Sequence, residues 1–417
     1  MPLQAPPREV IVVGAGIVGV CCALYLRREG YGVTLIDRAE PGSGASLGNA
    51  GNLGIASCVP HALPGVLAKV PKMLFDGGSP LRLRWSHLPQ SAPWLARFVA
   101  AAAPARVEAI ADARNSLLSR LYEGYEPLIA MAGAADMIRA SGLLFTYESD
   151  AAFAAARYGL DLRRNRGVEV RELSGDEARD LEPALSPAVT RAAFFPRVSV
   201  TVNPQRLTQV LAECFVRNNG MLLRETVQGF DLGPDGVRGV RTDGGLRSAD
   251  RYVIAAGVWS RALAKQVGPD LPLAAERGYH AMIPDAAGLM RVPAISGDRY
   301  VALTPMEHGL RVSGMAEFAA ADAPADWRLI DRLMAQARRV LPGLHGAVGS
   351  RWVGSRPSFP DSKPVIGPSP RRPEVLYAFG HDHIGLALAG ITGRIVADLV
   401  AGRDPGIDLA PFRPDRF

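Results

Sequence analysis

Residues 10–37, VIVVGAGIVGVCCALYLRREGYGVTLID, constrain the fold more tightly than any other stretch. They read in order as strand, glycine turn, helix, strand and terminal acid. Val10–Val13 is a short apolar run suited to a buried parallel strand, and Gly14, Gly16 and Gly19 follow it at G-x-G-x-x-G spacing. In such a turn the first glycine permits the tight bend, the second lets backbone approach a pyrophosphate, and the third lets the helix pack closely on the strand. The helix, opening at Ile17 and Val18, then offers its positive N-terminal end to the phosphates. Val33–Ile36 is the second strand, and Asp37 closes it. A carboxylate there accepts hydrogen bonds from a ribose diol and repels a 2′-phosphate, so FAD or NAD is favoured over NADP. The uncharged run Val10–Leu26 also passes for a signal-peptide core or a membrane span. Its three glycines, the adjacent Glu9 and a length below the ~20 residues of a span favour a buried strand and helix instead.

A chain of 417 residues, 48% of them hydrophobic, is long enough for two domains of ordinary size. Its four cysteines, Cys21, Cys22, Cys58 and Cys214, have no metal-ligand spacing. They read as packing residues in a reducing compartment, and no metal site is expected. The net charge of +6 comes almost wholly from arginine, since lysine occurs only at 69, 72, 265 and 363. These arginines are scattered, which argues against a nucleic-acid groove. The expected location is the cytoplasm, either free or on the inner, anionic face of the membrane, where excess positive charge would help a peripheral protein to sit.

Along the chain, proline and glycine from Pro60 to Pro93 break any regular element. From Pro93 to about Met131 the spacing of Leu117, Leu118, Leu121, Tyr125 and Leu128 predicts helix. Strands are expected at Gly142–Tyr147, Ala192–Phe195, Met221–Leu223, Val237–Thr242 and Tyr252–Ala256, with a helix from Pro204 to about Asn219. Val375–Phe379 reads as a strand, followed after Gly380 by a helix starting near Ile384 and carrying Leu386, Ala389, Ile391, Ile395 and Leu399. A second helix N-terminus aimed at a cofactor late in the chain is unexpected for a simple NAD dehydrogenase. It points to a flavin domain assembled from distant segments.

Several stretches together resemble the FAD-dependent D-amino acid oxidase and glycine oxidase superfamily, most closely its bacterial D-amino acid dehydrogenase branch. They are GAGIVG with Asp37, SLGNAGNLG at 46–54, ERGYH at 276–280, RVSGMAEF at 311–318, RWVGSRPSFPDSKPVIGPSP at 351–370 and FGHDHIGLALAGITGRIVADLVAGRDP at 379–405. The resemblance implies an α/β fold with a Rossmann-like FAD domain of discontinuous segments (1–60, 198–270, 350–417) and an α+β, mixed-sheet substrate domain (61–197, 271–349). It places Ser46, Asn49, Ala50, Gly51 and Asn52 around the flavin ring, and Val227 at the adenine end. Ala256, Gly257 and Trp259 fall at a flavin-side turn, with Arg38 and Gly385 added to the cofactor set. The flavin is expected to be noncovalent, because no attachment cysteine is apparent.

In the same family the arginine of G-x-R-P binds the substrate carboxylate, and Gly354-Ser355-Arg356-Pro357 matches it. Arginine suits that role because its planar fork makes two parallel charge-assisted hydrogen bonds. Tyr300 falls where glycine-oxidase-like members place a carboxylate-binding tyrosine, and His383 where some relatives carry a second arginine. Glu317 and His383 are expected near the substrate, whereas Tyr279 and His280 read as structural. The implied activity is oxidation of a D-amino acid to a 2-oxo acid and ammonia, with hydride passing to flavin N5 and electrons onward to a quinone or another acceptor. Three alternatives stay open: a D-proline or hydroxyproline dehydrogenase, a glycine or sarcosine oxidase using oxygen, and a flavin subunit that relies on partner subunits for electron delivery.

Overall fold

The computed structural model describes residues 8–65, 81–84 and 87–417. The expected strand–turn–helix–strand unit is present as Glu9–Val13, Ile17–Arg28 and Gly32–Asp37. These strands lie at the heart of a six-stranded sheet in the order Met221–Arg224, Gly32–Asp37, Glu9–Val13, Arg251–Ile254, Val375–Phe379, Val365–Pro368. All neighbours are parallel except the last pair. Strand alternation sorts the core. Val10 and Val12 face a helical layer containing Ile17–Arg28, Pro204–Arg217 and Gly385–Val400. Ile11 and Val13 face the opposite layer, the three-stranded meander 227–247 with the helix Ser260–Val267. The result is three layers drawn from segments far apart in sequence.

The second large sheet has nine strands among the described residues, with an antiparallel end in which Ala274–Ile283 lies between Gly309–Phe318 and the edge strand Ser350–Ser358. Leu143–Tyr147 joins Ala294–Ser296 in parallel, so the sheet is mixed. The helix Arg328–Val340 covers one face through Leu329, Ile330, Leu333, Met334 and Ala337.

Three expectations are corrected by the backbone. Sheet register places Ser350–Ser358 beside Ala274–Ile283, so a division at residue 350 would cut the larger sheet, and the segment feeding the nucleotide sheet starts beyond Ser358. The helical stretch is three helices, Leu88–Ala101, Pro104–Leu118 and Leu121–Ala132, because Pro104 opens a new first turn and cannot continue the old one. Its start also precedes Pro93, which lies inside the first of them. The rest of the expected break between Pro60 and Pro93 falls partly on residues 66–80 and 85–86, outside the described residues.

One helical stretch among the described residues, Asp382–Val400, is long and apolar enough to cross a membrane. It is mostly buried, sandwiched between two other helices. Gly390 meets the backbone of Gly124, Gly393 meets that of Cys21, and a Cβ at either glycine would overlap the facing chain. Its apolarity is that of a central core helix.

Candidate active site

A cavity of about 1260 Å³ opens just beyond the carboxyl ends of the parallel strands, where open α/β sheets bind ligands. Its walls include Gly14–Val18, Asp37, Arg38 and Val227, the loop residues Ser46, Asn49, Ala50 and Asn52, and Arg356, His383 and Tyr300. Ala256, Gly257, Trp259 and Gly385 also line it.

The glycine turn is built as its spacing predicts. Gly14 has φ +108°, and a Cβ there would press on the backbone of Ala255 and Ala256. Asp37 fixes the turn from the next strand, its Oδ2 accepting from Ala15 N at 2.7 Å while Oδ1 accepts from Ala39 N at 3.0 Å. Each oxygen keeps a second lone pair for a ribose hydroxyl. Ser46 Oγ accepts from Ile17 N at 3.0 Å, tying its loop to the helix N-terminus. The guanidinium of Arg38 lies 4.3 Å from the centre of the Trp259 ring, a cation–π pair.

The loop 46–52 is held from behind. Arg311 donates from Nη1 to Leu47 O (3.0 Å) and Asn49 O (2.5 Å), and Gly48 abuts the Trp352 indole, on which His280 stacks. Burial pulls Arg311 down to about 10 and His280 down to about 3. Asn52 is the informative residue here. Its Oδ1 is buried without a hydrogen-bond partner among the described residues, and the residue lines the cavity. An extended nucleotide fits this wall: glycine turn, ribose acceptor, unpaired amide and a helix N-terminus at Gly385 lie along one continuous space.

Arg356 Nη1 bonds Glu276 Oε1 (3.1 Å) and Met315 O (3.0 Å). Its guanidinium lies over Gly278, where any Cβ would displace it. Glu276 also receives His383 Nε2 at 2.7 Å. Asp382, at φ +53°, accepts from Ser358 Oγ at 2.8 Å through Oδ1 and faces His61 Nε2 at 3.1 Å through Oδ2. The buried Arg114 stands 3.7 Å from the same oxygen. Burial opposes ionisation of both carboxylates, yet the neighbouring imidazoles and guanidiniums prevail: His383 and Arg356 hold Glu276 at about 2, and His61, His383 and Arg114 hold Asp382 well below the usual range. His383 is lowered by burial, which Glu276 only partly offsets, while at His61 burial is the largest single effect but the charge and hydrogen bonding of Asp382 together with the charge of Glu276 outweigh it and raise the group. The potential ligand atoms of His61, Asp382 and His383 lie within 4.8 Å of one another. With Arg114 and Arg356 balancing Asp382 and Glu276, the group holds no net negative charge to attract a cation.

The side wall is apolar, formed by Phe145, Tyr147, Ala152, Ala155, Ala156 and Ile295. Arg163 joins it, donating to Ala56 O at 2.8 Å with its guanidinium 5.2 Å from the Phe145 ring centre. Tyr300 sits in a turn at φ +53°, half exposed.

Three expected residues lie off the cavity. Gly19 packs against the Gly14 carbonyl and serves the helix–strand contact. Gly51, at φ +81°, turns toward Thr201 O. Glu317 is corrected most fully: its carboxylate is shared among Arg277 (2.9 Å), Arg84 (2.7 Å) and Tyr279 Oη (2.7 Å), a buried cluster of its own. Sequence reasoning missed His61, Arg114, Glu276 and Asp382. Glu276 and Asp382 stand inside quoted motifs, ERGYH and FGHDH, but nothing local tells that residues more than a hundred positions apart converge.

Comparison with known proteins agrees with this geometry. A family model described as FAD dependent oxidoreductase, DAO, matches residues 9–399. The chain is 36% identical to a D-amino-acid oxidase of Bradyrhizobium diazoefficiens, covering 98% of this chain and 99% of that one. It is 33% identical to D-amino acid dehydrogenase 2 of Ralstonia nicotianae, covering 97% and 99%. Among solved structures, glycine oxidase from Geobacillus kaustophilus superposes with a TM-score of 0.77 at 22% identity, covering 99% of this chain and 100% of that one, a likeness of fold. The chain belongs to the DAO family of FAD-dependent oxidoreductases.

Proposed function

We propose that this oxidoreductase converts D-amino acids to 2-oxo acids and ammonia, with the substrate carboxylate held by Arg356. One observation carries the reading. A single cavity joins the dinucleotide turn to a guanidinium whose Nε and Nη2 have no hydrogen-bond partner among the described residues, in a chain whose full-length relatives include a D-amino-acid oxidase and D-amino acid dehydrogenases. FAD bound along the wall would supply the two-electron acceptor for the α-hydrogen.

The chain's own residues supply the positioning. Arg356 offers its free edge to a carboxylate while Glu276 fixes the opposite edge, so the fork is oriented before substrate arrives. Tyr300, half exposed and lining the same cavity, would close over that carboxylate. Phe145, Tyr147 and Ile295 give an apolar surface for the side chain and keep water from the reacting carbon. Gly14, Gly16, Ile17, Val18, Asp37 and Arg38 would hold the nucleotide end, with Ser46, Asn49, Ala50, Asn52, Val227, Ala256, Gly257, Trp259 and Gly385 along the rest. The helix at Gly385 turns its positive end to the cavity, where negative charge on a reduced cofactor is stabilised.

The test is product analysis. Yellow holoprotein incubated with D-amino acids, and separately with their L forms, glycine, sarcosine and D-proline, should yield 2-oxo acid and ammonia in equal amounts from the D series. Turnover confined to glycine and sarcosine, or to the L series, would overturn the reading. Air admitted to the reduced protein then identifies the acceptor: prompt return of the flavin bands assigns oxygen, and persistence of the reduced form assigns a quinone or a protein carrier. The positive net charge accords with work at the cytoplasmic face of a membrane.

A further inference from the structure

Oxidation at the α-carbon needs a neutral amine, because hydride cannot leave beside a full positive charge. An amino acid in neutral water carries an ammonium group, so a proton must go before the redox step. The cavity holds the means beside Arg356. Among the described residues, the His383 ring is hydrogen-bonded at one nitrogen, Nε2 to Glu276 at 2.7 Å. A carboxylate at that distance fixes the tautomer with hydrogen on Nε2, as acidic partners of catalytic imidazoles do, and leaves the Nδ1 lone pair free. The residue lines the cavity.

Every element around His383 contributes a charged or titratable neighbour. Arg356 and Glu276 face it from two adjacent strands, Asp382 precedes it with Oδ1 at 3.5 Å, and His61 lies against its ring with centroids 4.2 Å apart. Arg114 stands behind Asp382. Asp382 thus stands between two imidazoles, 3.5 Å from one and 3.1 Å from the other, and the second, His61, has 44% of its side chain exposed. That gives the proton a way out.

Resting on the proposed amino acid oxidation, we infer that His383 is the base that takes the substrate's ammonium proton on Nδ1, with Asp382 and His61 leading it to water. The step balances: R–NH3+ and neutral His383 give R–NH2 and imidazolium, which returns to neutral as the proton leaves through His61. Arg356 and Glu276 thereby serve both ends of the substrate, one clamping the carboxylate and the other orienting the base. The lowered affinity of His383 for protons keeps it neutral and ready near pH 7.

The experiment compares wild-type holoprotein with His383→Asn by anaerobic stopped-flow reduction with the best D-amino acid between pH 6 and pH 10. Without the base, only the small fraction of substrate already neutral can react. The variant should be slower by roughly 100-fold at pH 7 and recover about tenfold per pH unit toward the wild-type rate in alkali. A loss independent of pH, or no loss, would overturn the inference. Perturbation of the flavin spectrum by benzoate, which has a carboxylate but no amine, should be alike in both proteins if the cavity is intact. A readout free of turnover decides the matter if the variant loses flavin or if no D-amino acid is a substrate, a result that would itself sink the proposed function. In 15N-histidine NMR of the wild type at pH 7, His383 should appear as the neutral Nε2–H tautomer. An Nδ1–H tautomer or an imidazolium would contradict the assignment.

Discussion

Glu317 and Arg356 illustrate how residues of similar promise in sequence separate once folded. Both belong to motifs of the family, both are largely buried, and both form ion pairs. Arg356 spends one edge on Glu276 and keeps the other for the cavity, whereas Glu317 spends itself entirely on Arg277, Arg84 and Tyr279. Glu317→Gln should therefore act on stability, not on chemistry. Removing one partner of a buried pair leaves Arg277 uncompensated and costs about 3–5 kcal/mol. Urea unfolding should show that loss, while the rate of flavin reduction in protein that remains folded stays within about twofold of wild type. A variant with unchanged stability and crippled reduction would return Glu317 to the active site. Arg356 was legible because Gly354-Ser355-Arg356-Pro357 matches the family's G-x-R-P motif. The sequence did not mark His61, Arg114 or Asp382, whose meaning lies only in their meeting.

At the scale of elements, the glycine turn was fully legible, since strand, turn, helix and acid are contiguous and each has its own steric reason. Asp37 adds something the spacing did not reveal: it braces the turn through Ala15 N as well as standing where a ribose would lie. Asp37→Ala should weaken FAD retention by about 1.5–3 kcal/mol for the charged hydrogen bond alone. Loosening of the turn adds to that, and Asp37→Asn, which keeps an acceptor oxygen, should recover part of it. Equilibrium flavin binding by fluorescence quenching checks both, and unchanged affinity in Asp37→Ala would remove the residue from the site. The last helix was legible in type and place but not in its neighbours. Its glycines admit close approach of Gly124 and Cys21, a packing relation between distant segments that no local period encodes. Likewise the edge of the nucleotide unit was set too early, because Ser350–Ser358 carries no mark of which sheet its hydrogen bonds will join.

Across the whole molecule, buried histidines make stability depend on pH. His280 and His381 are both pushed down to about 3, each chiefly by burial. Above the ordinary histidine value of about 6.5 both are neutral whether folded or not, and stability is full. As pH falls from there toward 3, the unfolded chain binds protons that the fold refuses, and each group removes about 1.4 kcal/mol per pH unit. Glu276 adds to the loss on the same side: its stabilisation is complete above its unfolded value and disappears as pH falls toward about 2. His280→Phe keeps a ring on Trp352 and cannot be protonated. Its unfolding free energy should therefore fall less steeply than wild type between pH 6 and pH 4, by about 1.4 kcal/mol per pH unit. Parallel slopes would mean that His280 is protonated in the fold.

The central claim, that Arg356 presents amino acid carboxylates to a flavin in this cavity, is tested most directly by anaerobic reduction of Arg356→Ala holoprotein. The variant should bind FAD normally, because Arg356 lies on a strand of the larger sheet whereas Asp37 closes a strand of the nucleotide sheet. Its kcat/KM for D-amino acids should fall by on the order of 2–5 kcal/mol, roughly 30- to 5000-fold. Arg356→Lys should regain only part of this, since an ammonium restores the charge without the fork. A wild-type rate of bleaching in Arg356→Ala would contradict the account and place the carboxylate elsewhere.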